Sequence, residues 1–184
     1  MDGTPRTAAD LIRLTESGAS LEYTFFWGHR PQPDGAIGAG CLSQWWPTAF
    51  MAHNVTFRSS EHYMMYRKAI LFGDEEAAGR ILAASHPRQA KMLGRRVRNF
   101  EEEIWVKHRY QIVVDASLAK FGQDRDLMAF LRGTGDRVLV EASPTDRIWG
   151  IGLTGRDERA ADPAQWRGLN LLGFALMQAR AELR

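Results

Sequence analysis

Glu61 and Lys68 stand seven residues apart in the stretch SSEHYMMYRKAILF, residues 59–72. Read as a helix at ~100° per residue, this stretch puts Glu61, Met64, Met65, Lys68, Leu71 and Phe72 on one face. A carboxylate and an amine then share an apolar stripe, ~10 Å apart along the axis. An ordinary amphipathic helix keeps its charges on the opposite side, and a charge in apolar surroundings is costly unless it is paired or used. Two readings compete. In one, Glu61 serves the first turn, favoured by the helix dipole, and Lys68 extends to water. In the other, both point into a pocket, where a carboxylate can stabilise positive charge or take a proton and a desolvated amine can attack an electrophilic carbon.

Other polar residues sit inside aromatic segments: Ser43 in LSQWWP, Asp146 beside Trp149 in SPTDRIWG, and Asn170 in GLNLLG. Each has a simpler use. Ser43 can make a turn, Asp146 can close an Asx-type turn, Trp149 can be core, and Asn170 can cap the last helix. Together they suit a pocket for a flat heterocycle on a sugar, with aromatics to stack and a few polar groups to orient. Common alternatives fail. There is no GxxxxGK(S/T), no dinucleotide GxGxxG turn after a strand and no GxSxG elbow. The single cysteine, Cys41, has no catalytic context and excludes an internal disulfide. His29, His53, His62, His86 and His108 show no HxH or HExxH spacing. Neither a metal nor a cofactor is expected.

The elements that must position these groups follow from pattern. Residues 8–16 read as an amphipathic helix stopped near Gly18, and LEYTFFW (21–27) as a strand. The glycine- and proline-rich stretch 28–40 is a long loop, and Pro47 holds Trp46 extended. Residues 52–58 read as a second strand entering the 59–72 helix, which Ser59 or Ser60 caps and Gly73 ends. Asp74 caps a helix through Ala84, and Pro87 opens the next. Asn99 caps a long helix from Phe100 to about Phe121, with Gly122 past its end. The inner stripe of that helix includes Ile104, Trp105, His108, Ile112, Val113 and Leu118. Asp124 caps a short helix to Leu131 ended by Gly133, 137–142 is a strand, and 168–184 closes as a helix. The expected class is α+β: a single compact, mostly helical domain with a few short strands over 21–184, preceded by an extension over 1–20.

With 184 residues, the chain is long enough for one sizeable core. Its net charge of +2 makes no electrostatic case for nucleic acid or an anionic membrane. The cluster Arg95, Arg96 and Arg98 reads as a solvated helix end. No run approaches the ~20 apolar residues of a membrane span, and the N-terminus lacks an apolar core of signal-peptide length. A cytoplasmic location is the expectation; oligomeric state is not legible.

Seven blocks, in order, resemble one family. They are LSQWWPTAF (42–50), SSEHYMMYRKA (59–69), SHPRQAKMLGR (85–95), Trp105 with Lys107, KFGQ (120–123), SPTDRIWGIG (143–152) and GLNLLGFALMQAR (168–180). The resemblance is to the NADAR, or YbiA-like, family, and it runs from about Tyr23 to Arg180. Two departures bear on pocket shape and so on substrate choice: Gln44-Trp45-Trp46 replaces Asn-Phe-Tyr, and Met65-Tyr66-Arg67 replaces Gln-Ala-Gln. The resemblance implies a small, mostly helical α+β fold and hydrolysis of an N-glycosidic bond on a ribosylated substrate. YbiA-like members act on phosphoribosylamino-pyrimidine intermediates of riboflavin synthesis, and others remove ADP-ribose from modified guanine in DNA. Nucleic acid is thus expected only as a modified substrate.

Such cleavage passes through an oxocarbenium-like transition state. Glu61 is then expected at the ribose as electrostatic stabiliser or base, and Asp146 as the second carboxylate, on sugar hydroxyls or water. Lys68 is the alternative nucleophile, forming an imine with the opened sugar. Trp46, Trp105 and Trp149 are the candidates to stack on the ring, Arg67 or Arg95 to hold a phosphate, and Ser43 and Asn170 to complete the binding site. A module that holds ADP-ribose or a nucleotide without cleaving it is the rival reading.

Overall fold

The computed structural model describes residues 4–183. Helix α1 (Ala8–Glu16) starts with a capping box, Thr7 accepting from the Asp10 amide and Asp10 answering to the Thr7 amide. Its Leu11 is fully buried, so α1 docks on the rest of the fold. Strand β1 (Tyr23–Phe26) is parallel to β4 (Val138–Glu141), with Tyr23 opposite Val138 and Phe26 opposite Glu141. The single strand expected over 52–58 is instead a hairpin, β2 (Phe50–Ala52) against β3 (Val55–Phe57). The chain reverses at His53 and Asn54, whose φ of 51° and 60° is the left-handed pair of a tight hairpin turn.

Helix α2 (Ser60–Leu71) is capped by Ser59, whose hydroxyl accepts from the His62 amide. It ends into Gly73 at φ 70°, a conformation that glycine takes without strain. Helix α3 (Glu75–Ala83) is capped by Asp74, and α4 (Pro87–Gly94) opens on its proline. Helix α5 (Glu102–Gln123) starts later than expected. Asn99 sits at φ 55° outside it, Glu101 occupies the cap position, and Gly122 lies within the last turn. Its inner face carries Trp105, Arg109, Ile112, Val113 and Lys120, whereas His108 is exposed. Of the expected stripe Trp105, Ile112 and Val113 are buried and Ile104 and Leu118 pack against the core, while Arg109 rather than His108 turns inward. Helix α6 (Arg125–Gly133) is capped by Asp124.

Helix α7 (Leu171–Glu182) is buried from Leu172 through Arg180, apolar on nearly every side, as a helix enclosed by others must be. It packs against α5 and β4, while α2 packs against α3, α4 and α5. The architecture is a helical α+β domain. Among the described residues no helix is long and apolar enough to cross a membrane.

Where α7 crosses β4, Gly173 brings the two backbones together: a Cβ there would lie 2.0 Å from the Leu139 carbonyl oxygen. Backbone cannot yield as a side chain does. Gly173→Ala is expected to lower stability by about 3 kcal/mol, read as a lower urea midpoint at unchanged slope.

Candidate active site

Five segments of the chain converge on a cavity of about 220 Å³. Helix α2 presents Glu61, Met64, Met65 and Lys68, the i, i+3, i+4, i+7 stripe of one helical face. Helix α4 adds Lys91 and Gly94, followed by Arg95. Helix α5 adds Trp105, and the segment after a short 3-10 turn (Ala39–Leu42) adds Ser43, Gln44 and Trp45. Glu141 at the carboxyl end of β4, with Asp146 and Trp149 from the loop that follows, closes the wall. Gly94 permits the close contact of α4 with α2, since a Cβ there would overlap Met65.

Glu61 is 2% exposed. Its Oε2 accepts from the Trp45 indole N–H at 3.2 Å, and its buried Oε1 has no protein partner among the described residues. Burial pushes this carboxyl up to about 7, against the pull of Lys91 and of the Trp45 hydrogen bond, with Asp146 adding repulsion. The Glu61 amide donates to the Gln44 carbonyl at 3.0 Å, tying the 43–45 segment to the start of α2.

Lys68 lies half-buried under two rings, its Nζ 4.0 Å from the centre of Phe100 and 5.5 Å from that of Trp105. Burial lowers its pKa against the opposing charge of Glu102. Desolvation therefore outweighs the nearby carboxylate, and the neutral amine becomes more accessible.

Asp146 both lines the cavity and closes a turn: its Oδ1 accepts from the amides of Ile148 and Trp149 at 2.9 and 2.8 Å. Ser43 likewise does both, its hydroxyl accepting from the Trp45 amide at 3.1 Å. Three residues expected at the pocket lie elsewhere. Trp46 points into the core and Trp45 takes the cavity wall: residues 43–46 form a turn, closed by the Trp46 amide donating to the Ser43 carbonyl at 3.2 Å, which sends the two rings different ways. Arg67 is on another face of α2, its Nη1 donating to the Tyr63 hydroxyl at 2.9 Å and 2.6 Å from His53 Nε2. Asn170 is fully buried at φ 52°, its amide bridging the Glu141 N–H and the Leu139 carbonyl, both at 3.0 Å. It is a staple on β4 rather than a ligand contact.

Lys91 and Glu141 are pocket residues that the sequence did not disclose. Lys91 stands four before Arg95, a helical spacing that would have found it once α4 was placed. Glu141 ends an otherwise buried strand, and its backbone N–H and C=O are held by Asn170 and the Ile151 amide. Among the described residues no three of His, Cys, Asp and Glu converge closely enough to hold a metal ion.

The NADAR domain model matches residues 25–184. The chain belongs to the NADAR family. It is 42% identical over 166 residues to an N-glycosidase of Acanthamoeba polyphaga mimivirus, covering 88% of this chain and 96% of that one. A riboflavin biosynthesis protein of Vibrio vulnificus is 30% identical over 145 residues, 79% of this chain but 36% of its own length. The NMR structure of the Escherichia coli protein YbiA superposes with a TM-score of 0.70 at 26% identity, over 90% of this chain and 87% of that one. The NADAR block LSQWWP supplies the indole that meets Glu61, SSEHY supplies the carboxylate, and SHPRQAKMLGR supplies the cations facing it.

The Trp45 contact can be measured. Trp45→Phe keeps the ring and deletes the N–H, so the Glu61 carboxylate loses a donor and its neutral form gains. A hydrogen bond to a charged group contributes about 1.5 kcal/mol, so the acid limb of kcat/KM against pH is expected to rise by about one unit.

Proposed function

We propose that this NADAR protein is an N-glycosidase hydrolysing the bond between ribose C1′ and a nitrogen of a pyrimidine-type base, with a phosphoribosylamino-pyrimidine as substrate. One observation carries the reading: a buried carboxylate, Glu61, aims an unpartnered oxygen into a cavity walled by Trp45, Trp105 and Trp149. Positive charge developing at C1′ meets that oxygen in a buried setting, where a fixed charge acts more strongly than in open water. The indoles flank a flat ring, and Lys91 and Arg95 supply cationic charge for a 5′-phosphate. The cavity is small against the ~300–1,000 Å³ of typical ligand sites, which favours a ribosyl-pyrimidine over an ADP-ribosyl group.

Lys68 offers the route through an imine. Its neutral Nζ bonds to C1′ as the sugar ring opens and the base departs, and water then releases the sugar. The test runs in two parts. The protein is incubated with the phosphoribosylamino-pyrimidine and, separately, with DNA carrying ADP-ribosylated guanine, and released base and sugar are followed by mass spectrometry. Release from the first alone supports the reading, release from the second alone replaces the substrate, and binding without release makes the chain a module. Borohydride added during turnover is expected to trap a sugar adduct on Lys68 that Lys68→Ala lacks; no adduct leaves direct hydrolysis.

A further inference from the structure

Three carboxyls line the cavity, and their surroundings divide them. Asp146 has committed Oδ1 to the turn that carries Trp149. Glu61 receives the Trp45 N–H, a donor that favours the ionised form. Glu141 receives no such donor at its buried Oε2, which faces the cavity without a protein partner among the described residues. Its backbone is fixed at both polar groups, the N–H on Asn170 Oδ1 and the C=O on the Ile151 amide. Glu61 and Glu141 each keep one buried oxygen without a protein partner among the described residues, but only Glu61 has a donor on the other. A rigid strand end thus holds the less ion-supported of the two in the same cavity. Two carboxyls held in unlike environments are how a site separates an acid from a stabiliser.

We propose that Glu141 is the general acid of this site, giving its proton to the departing nitrogen while Glu61 stays ionised beside C1′. The inference rests on the N-glycosidase reading. As the C1′–N bond breaks, its electron pair goes to nitrogen, which takes the proton of the Glu141 carboxyl and leaves as a neutral amine. Water adds its oxygen to C1′, and the proton it sheds restores Glu141. An amine is a poor leaving group without that proton, so the donor should contribute about a hundredfold or more to the rate. Burial, reinforced by Asp146, pushes Glu141 up to about 8, and Lys91 opposes it. The charged and titratable groups sharing the cavity are Glu61 and Lys68 from α2, Lys91 and Arg95 from the α4 segment, and Asp146.

The experiment is a pH profile of kcat and KM for the parent and Glu141→Gln, with the phosphoribosylamino-pyrimidine as probe. The parent should lose kcat as pH rises through about 8. Glu141→Gln should lower kcat by about a hundredfold or more, with KM within about threefold, and should abolish that alkaline limb. Glu141→Asp, which restores the acid at a shorter reach, should recover part of the loss. An active parent with Glu141→Gln within about threefold in kcat overturns the acid role and leaves the N-glycosidase reading standing. An active parent with no alkaline limb overturns it too, without any variant having to fold. A parent inactive on the probe removes the reading on which the inference rests.

Discussion

Glu61→Gln is expected to lower kcat by about 10²–10³-fold, the usual cost of removing one preorganised electrostatic partner of a transition state. The amide keeps the shape of the carboxylate and an oxygen for the Trp45 N–H, but not the charge. Stability should move the other way. The carboxyl titrates near 7 in the fold against 4.5 in the open chain. Between those values the folded state binds more protons, so this carboxyl makes the fold less stable as pH rises through that window. The variant lacks the penalty. Relative to the parent it should gain stability from pH 5 to pH 8, on the order of a few kcal/mol. Urea unfolding at the two pH values, beside turnover, measures both effects. Unchanged kcat would take Glu61 out of the reaction. Reduced stability at pH 8 would mean that its charge is satisfied in the fold after all.

That opposition of activity and stability is why Glu61 was legible in the sequence. A carboxylate on an apolar helical stripe breaks the amphipathic pattern, and a broken pattern costs stability unless the group is used. Lys68 breaks it in the same way. Caps and breakers were legible for a related reason: Ser59, Gly73, Asp74, Pro87 and Asp124 act through their own backbone, and all occupy the places that local chemistry assigns. What failed was what depends on partners far along the chain. Trp45 and Trp46 are interchangeable in composition, and only the turn over residues 43–46 decides which one meets Glu61. Asn170 looks like a cap for α7, yet its side chain reaches back to β4 because the parallel β1–β4 pair puts that strand beside it. Glu141 was hidden because a strand four residues long has too few positions to show which face is which. The hairpin at His53 and Asn54 was missed because neither residue is the glycine that marks such turns most clearly.

Lys120→Met should show how a residue outside the cavity holds it in shape. The KFGQ block belongs to the resemblance, but its spacing says nothing of its use. In the fold, Lys120 is 2% exposed and its Nζ donates to the carbonyls of Cys41 and Ser43 at 2.5 and 2.9 Å. Three residues on, Gln123 brackets Met51, accepting from its amide and donating to its carbonyl. The two side chains of α5 thus fix the segment that carries Ser43, Gln44 and Trp45 into the cavity. Burial lowers the Lys120 amine to about 7 from an ordinary 10.5. Between those values the unfolded chain binds more protons than the folded one, so this lysine lets stability rise with pH from about 7 to 10.5. Methionine fills much of the volume but offers no donor, which leaves the Cys41 carbonyl without this hydrogen bond, at about 1–3 kcal/mol. The parent's rise with pH should be absent in the variant, so the deficit is smallest near pH 7 and largest near pH 10. Because Trp45 rides on the loosened segment, kcat/KM should also fall, about tenfold for the loss of roughly 1.4 kcal/mol of positioning at Glu61. A deficit that stays flat with pH would mean that Lys120 remains charged in the fold. Unaltered kcat/KM would mean that the contacts to the start of α2 hold Trp45 without Lys120.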